Sequence, residues 1–117
     1  MQRDVGLRSA TDGEFRRTSW HMDFIYRLGG IRPTDEKIQV HFRNEQGELD
    51  FESAALAIDA PVRLTETIFG DDFAFLADEV ADDVTAKLTI PSPSMVHYRG
   101  GRAAIDPKVY PDEERFW

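Results

Sequence analysis

Leu7-Arg8-Ser9-Ala10-Thr11-Asp12-Gly13-Glu14-Phe15-Arg16-Arg17 passes from a short strand candidate, residues 7–11, directly into a polar turn, and this transition sets the fold class. Asp and Gly favour the turn, because an Asx side chain bonds its own backbone two residues on and Gly accepts positive φ. The edge where strands hand over to helices is also where ligands gather in α/β proteins. Reading backward, residues 1–5 end at Gly6, the residue type that most often closes a helix in the left-handed conformation, so they read as a last helical turn. Reading forward, Thr18 or Ser19 caps a helix over residues 20–28, with Trp20, Phe24 and Leu28 on one face and Gly29-Gly30 as its stop.

From Ile38 the period changes to two. Ile38, Val40 and Phe42 alternate with Gln39, His41 and Arg43, and Leu49 and Phe51 alternate with Glu48, Asp50 and Glu52. A hairpin turning through Asn44-Glu45-Gln46-Gly47 sets Phe42 opposite Leu49 and Val40 opposite Phe51. On the other face it sets Arg43 against Glu48 and His41 against Asp50. Residues 56–60 and 62–68 read as one or two further strands interrupted by Pro61. A second helix starts at Asp71 or Asp72 and carries Phe73, Leu76, Ala77, Val80 and Val84 on its packing face. Residues 87–90 read as a short buried strand and residues 94–107 as a loop. Pro111-Asp112-Glu113-Glu114 has the composition of a helix first turn. The expectation is a segment of a larger α/β protein, the alternative being a small α+β domain with frayed ends.

The 117 residues hold at most one domain, with eight Phe, three Tyr and two Trp to build a core. A net charge of −8 argues against nucleic acid or an anionic membrane as partner, since both require a basic face. No apolar run reaches the roughly 20 residues of a membrane span and no signal peptide is evident, so the chain reads as cytoplasmic. Zero cysteine removes disulfides, thiol nucleophiles and cysteine-bearing zinc sites.

Two stretches carry chemistry. In the turn, Asp12 or Glu14 can hold an ammonium group, and with Arg16 and Arg17 it can grip both ends of an amino acid zwitterion; alternatively Asp12 and Glu14 only cap the turn. Residues 90–102 interleave Ser92, Ser94, His97, Tyr98, Arg99 and Arg102 with Gly100-Gly101, which suits a flat or anionic ligand or an ordinary solvated loop. His21, His41 and His97 stand 20 and 56 residues apart, without metal-ligand spacing.

Taken together, Thr11-Asp12-Gly13-Glu14-Phe15-Arg16-Arg17 with Trp20-His21-Met22-Asp23-Phe24, and Ile90-Pro91-Ser92-Pro93-Ser94-Met95 with His97-Tyr98-Arg99-Gly100-Gly101, resemble the catalytic-barrel domain of the cobalamin-independent methionine synthase family. The resemblance extends over Ile68-Phe69-Gly70-Asp71-Asp72-Phe73 and Tyr110-Pro111-Asp112. It implies a (β/α)8 barrel that moves a methyl group from 5-methyltetrahydrofolate to the thiol of homocysteine, with zinc holding the thiolate. Such a barrel needs about 250 residues, so the chain is expected to be a partial TIM barrel. Residues 1–36 would supply one βα unit, residues 37–69 an antiparallel insertion, and residues 70–117 a helix, a barrel strand and a rim loop.

By motif, Glu14 corresponds to the family glutamate on the homocysteine amino group, and the turn at residues 92–95 to the loop after the next barrel strand. Asp12, Arg16, Trp20, Ser92, Ser94 and His97 are the further substrate-binding candidates, with Glu14 and residues 92–97 expected on one rim. The zinc ligands of the family, a His-x-Cys pair, a carboxylate and another cysteine, are absent from this chain. Alone it is therefore expected neither to hold zinc tightly nor to transfer a methyl group. The implied partners are small molecules, homocysteine and methyl-folate, with self-association through open sheet edges. The competing readings are a related thiol alkyltransferase with another acceptor, and a noncatalytic truncated homologue or partner-dependent module.

Overall fold

A computed structural model describes residues 2–45 and 47–117, and leaves the side chains of Phe42 and Phe51 undescribed. The chain forms two compact units, Met1–Arg27 with Glu66–Pro91, and Leu28–Thr65 with Ser92–Trp117. The elements are mixed α and β, with two separate two-stranded sheets, one parallel and one antiparallel.

In the first unit, Arg3–Val5 is a 3-10 turn closed by Gly6 at φ 86°, the helical end read from the sequence; the Met1 part of that reading lies outside the described residues. Strand β1, Ser9–Ala10, pairs in parallel with β4, Thr85–Ala86. The nitrogen of Lys87 donates to the carbonyl of Ala10 at 2.8 Å and carries the ladder one residue further. The strand expected over residues 87–90 thus pairs two residues earlier, and Ile90 is 58% exposed rather than buried.

Helix α1 covers only Met22–Ile25. Its N-cap is His21, without a side-chain cap bond, so the cap expected at Thr18 or Ser19 is corrected; Ser19 Oγ does accept from the nitrogen of Met22 at 3.2 Å, and the Asp23 carboxylate accepts from the nitrogens of Thr18 and Ser19. The buried residues are Met22 and Ile25, three apart, whereas Trp20 is exposed, so the expected face of Trp20, Phe24 and Leu28 is corrected. The helix has no room for a longer stripe, because Gly29 already begins a strand.

Helix α2, Gly70–Glu79, starts within one or two residues of the expected position and ends before Val80, whose ψ of 147° is extended. Glu79, Asp82 and Asp83 sit where the dipole of a longer helix would place its negative end, which disfavours continuation to Val84. None of its residues is fully buried; Phe75 is 53% exposed. Ile68 and Phe69, just before it, belong to the core instead.

The second unit is built on β2, Gly29–Asn44, and β3, Gly47–Arg63, a long antiparallel ribbon. The outer register agrees with the sequence reading: Val40 pairs with Phe51, His41 with Asp50, Phe42 with Leu49 and Arg43 with Glu48. His41 Nδ1 lies 2.7 Å from Asp50 Oδ1 and Arg43 Nε 3.6 Å from Glu48 Oε1. Gln46 of the expected turn lies outside the described residues.

Toward its base the ribbon is longer and less regular than the alternation implies. The register shifts between Pro33 and Lys37, where residues 34–36 stand against Ala55 alone, a bulge that interrupts the period-two pattern. Strand β3 runs through Pro61 as one element, but the pairing is interrupted there as expected, since residues 59–62 stand against Gly30 alone; residues 64–68 are not strand. Ile31, Ala55, Leu56 and Ile58 are buried at this end.

Residues 94–107, expected as a loop, contain α3, Ser94–Tyr98, and a 3-10 turn, Gly101–Ala104. Ile105 bridges in parallel to Ile58, whose carbonyl accepts from the nitrogen of Asp106 at 2.8 Å. Tyr110 ties the unit further: its hydroxyl accepts from the nitrogen of Val62 at 2.8 Å, and its carbonyl accepts from Arg102 Nη2 at 2.6 Å. Helix α4, Glu113–Phe116, is capped by Asp112, whose Oδ1 accepts from the nitrogen of Arg115, so Pro111 precedes the cap rather than occupying the first helical position. Among the described residues no helix is long and apolar enough to cross a membrane.

The ribbon tip makes a testable prediction. Beyond Lys37 the ladder satisfies its own backbone bonds, and its described side chains are largely exposed. Replacing residues 43–48 with Asn-Gly joins the opposed positions Phe42 and Leu49 through a two-residue turn. Far-ultraviolet circular dichroism is expected to keep its helical component, with Tm lowered by no more than a few degrees; loss of the cooperative transition would refute this.

Candidate functional site

The turn after β1 is wound by its own side chains. Thr11 Oγ1 accepts from the nitrogen of Gly13 at 3.2 Å, and Asp12 Oδ1 accepts from the nitrogen of Glu14 at 3.0 Å. Glu14 is thereby held at φ 60°, a left-handed conformation uncommon for a residue with a Cβ, and its carbonyl accepts from the nitrogen of Arg17 at 3.0 Å. Such strain persists only where surrounding bonds over-determine it, and it concentrates at functional positions.

The side chain of Glu14 is half-buried and receives a hydrogen bond from Thr89 Oγ1 at 2.6 Å. No cation of the described residues pairs with it. Arg16, two residues on, is engaged elsewhere: its Nη1 lies 3.9 Å from Asp12 Oδ2, its Nε 3.5 Å from Asp72 Oδ1, and its guanidinium 4.8 Å from the Phe75 ring centre. Arg17 donates to the carbonyl of Trp20 and lies 4.2 Å over the ring of Phe69. The result is a partly desolvated carboxylate with one neutral donor and no counter-charge. A cation supplied from outside would complete it, because a buried charge is costly until it is paired.

Of the sequence candidates, Asp12, Glu14, Arg16 and Trp20 fall in the first unit. Asp12 shapes the turn and ties it to α2 through the arginine it shares with Asp72. Trp20 is half-exposed and lies 4.4 Å from the ring of buried His21. Ser92, Ser94 and His97 belong to the second unit. The hydroxyls of Ser92 and Ser94 are 2.9 Å apart at the start of α3. His97 packs among Phe116 and Trp117, with ring centres at 6.2 and 5.6 Å, and its Nε2 lies 3.6 Å from Glu113 Oε1.

Thr89 and Asp72 escaped the sequence reading, since each acts on a turn more than fifty residues away in the chain. The one local signal was that Lys87 and Thr89 alternate with Leu88 and Ile90, which sets the polar pair on one side.

The residues present do not fit a zinc ion. No three of His, Asp or Glu converge among the described residues, and the chain has no cysteine. His21 contacts Ser19, His41 is paired with Asp50, and His97 faces Glu113 within an aromatic cluster.

No family model matches the chain. It is 34% identical over 116 residues to the uncharacterized protein YxjH of Bacillus subtilis (strain 168), covering 99% of this chain and 29% of that protein. It is 35% identical over 99 residues to the uncharacterized protein YxjG of the same strain, covering 85% of this chain and 25% of that one. The chain thus spans less than a third of the length of the curated relatives it matches. Among solved structures it is similar to a B12-independent methionine synthase from Shewanella sp. W3-18-1 in complex with selenomethionine. The TM-score is 0.63 at 21% identity, over 97% of this chain and 30% of that one. At that identity the likeness establishes a shared fold over this segment.

Proposed function

We propose that the chain is part of a B12-independent, methionine-synthase-like enzyme, a partial (β/α)8 barrel that contributes the amino-acid end of a homocysteine site. In this reading Glu14 receives the α-ammonium group of homocysteine while a methyl group passes from a folate to its sulfur. The observation that carries the reading is the Glu14 carboxylate at the end of the parallel pair, half-buried, braced by Thr89 and without a counter-charge. A primary ammonium is the cation such a lone carboxylate selects, because it brings both positive charge and several N–H donors. The fold likeness to a methionine synthase over nearly the whole chain supports the assignment.

The chain's own part is to bind and orient. Asp12 keeps the turn wound, Arg16 fastens that turn to α2 through Asp72, and Glu14 anchors the amino end so that the sulfur reaches the reacting position. Trp20 is assigned to the same substrate site. Ser92, Ser94 and His97 are assigned as substrate-binding residues of the second unit. Zinc and the groups that hold it would come from other parts of such an enzyme. The donor set favours a second reading, in which the segment binds amino acids without catalysing transfer.

Amide NMR shifts of the chain test the site. L-Homocysteine with reductant, or L-methionine, is expected to move the signals of Asp12, Glu14 and Arg17, and N-acetyl-L-methionine, which lacks the ammonium, is not. Glu14→Ala should weaken methionine binding about 10- to 100-fold, the range of a charge-assisted bond. An equal response to N-acetyl-L-methionine, or unchanged binding by Glu14→Ala, would overturn the proposal.

A further inference from the structure

We propose that Thr89 is the positioning residue of this site, a threonine hydroxyl that holds one oxygen of Glu14 and thereby aims the other at the incoming ammonium; this rests on the function proposed above. The backbone of Glu14 is already fixed, by Asp12 at its nitrogen and by Arg17 at its carbonyl. What the turn leaves free is the rotation of a long side chain with three torsions. An unbraced glutamate would lose that freedom on binding a ligand, at a cost to affinity.

Thr89 removes the freedom beforehand. It stands 75 residues away in sequence, in the extended stretch that follows β4, so the parallel pairing of Ser9 with Thr85 and of Ala10 with Ala86 fixes its distance from the turn. The 2.8 Å bond from Lys87 to Ala10 carries that registration to within two residues of it. Threonine also suits the task better than serine, because its branched Cβ narrows χ1 and presents the hydroxyl in a set direction.

A hydroxyl differs here from the alternatives. A lysine or arginine at residue 89 would neutralise Glu14 and leave nothing for a ligand cation. A hydroxyl donates to Oε1, brings no charge of its own, and leaves Oε2 and the net negative charge for the substrate. The arginines that neighbour Glu14 in sequence are both committed elsewhere, Arg16 to Asp12 and Asp72 and Arg17 to the face of Phe69. They therefore do not compete with the ligand. The same brace sets which amino acids are accepted: a free α-amino group satisfies Oε2, whereas an acylated or absent one does not.

Thr89→Val keeps the shape and removes the hydroxyl, and Thr89→Ser keeps the hydroxyl and loosens it. Two readouts separate the brace from the substrate. The rotamer distribution of the Glu14 side chain, followed by NMR three-bond couplings without ligand, reads the hydrogen bond alone. Thr89→Val is expected to move the couplings toward rotamer averaging, because the bond that holds the carboxylate is lost, and Thr89→Ser is expected to restore them. Calorimetric titration with L-methionine reads the consequence: about fivefold weaker binding for Thr89→Val and near-normal binding for Thr89→Ser.

Unchanged Glu14 couplings in Thr89→Val, or full binding despite averaged couplings, would overturn the positioning role. Averaged couplings in Thr89→Val together with no methionine binding by the unaltered chain would overturn the amino-acid reading of the site and with it the purpose assigned to the brace. Should Thr89→Val fail to fold, Thr89→Ser against Thr89→Ala gives the same comparison.

Discussion

Gly30→Ala will lower the Tm of the chain by about 12 to 24 °C. A Cβ built at Gly30 falls 2.5 Å from the carbonyl oxygen of Ala60 and 2.6 Å from that of Pro61, and both are backbone atoms of the facing strand. They cannot turn aside as a flexible side chain would. Gly30 also sits at φ 86°, where a residue with a Cβ is strained by about 1 to 2 kcal/mol on its own account. Adding the overpacking, typically about 1 to 3 kcal/mol, gives about 3 kcal/mol in all. At roughly 4 to 8 °C per kcal/mol for a chain near this size, the shift in Tm follows.

Gly6→Ala is the control, because Gly6 has the same φ of 86° and nothing within 4 Å of its added Cβ. It should cost only the backbone part, about a third to two thirds of the Gly30→Ala effect. Equal shifts for the two variants would show that the approach of β2 to β3 at Gly30 is looser than described.

Gly30 also marks where the sequence stops being legible. Its pairing with Gly29 reads locally as a helix stop, and both glycines are instead the first residues of a strand, with residues 59–62 of the facing strand bulging against Gly30. The outer ribbon was legible because its two periods agree: apolar residues alternate on one face, and His41 with Asp50 and Arg43 with Glu48 alternate on the other. Residues 34–36 break that pattern only because three residues of one strand stand against one of the other, a feature of pairing that no single strand carries in its own sequence.

A similar division runs through the site. Asp12, Gly13 and Glu14 were legible as a turn because the two side-chain bonds that wind it each span only two residues. The partners of the turn were not, because Thr89 and Asp72 reach it only through the parallel pairing and the placement of α2. Helix α2 itself was found from its period but drawn too long, since periodicity continues to Val84 while the acids at residues 79, 82 and 83 oppose a longer dipole.

Phe69→Ala is expected to destabilise the first unit by about 3 to 5 kcal/mol, the usual cost of removing a buried Phe ring. Phe69 is 8% exposed, lies 6.1 Å from the ring of Phe24, and carries Arg17 at 4.2 Å and Arg27 at 5.6 Å from its ring centre. Arg27 is in turn held by Glu66 at 2.9 Å. One ring thus pins the far end of the Glu14 turn, the end of α1 and the start of α2.

The chain keeps that ring at φ 59°, a left-handed position before α2 that glycine would occupy without strain. The conformational cost is offset by the burial of the ring against Phe24, Arg17 and Arg27, and this gives the experiment an internal check. At most sites with negative φ, a glycine variant is less stable than the alanine variant by about 0.5 to 1 kcal/mol. At residue 69 the relief of left-handed strain, about 1 to 2 kcal/mol, acts in the opposite direction. Phe69→Gly is therefore expected to be at least as stable as Phe69→Ala, with both far below the unaltered chain in urea unfolding followed by tryptophan fluorescence. Because Arg17 loses its platform in either variant, the amide signals of Glu14 and Arg17 should broaden or move before global unfolding. A glycine variant clearly weaker than the alanine one, or either variant within 1 kcal/mol of the unaltered chain, would mean that Phe69 does not pin the turn and that Glu14 owes its conformation to Asp12 and Thr89 alone.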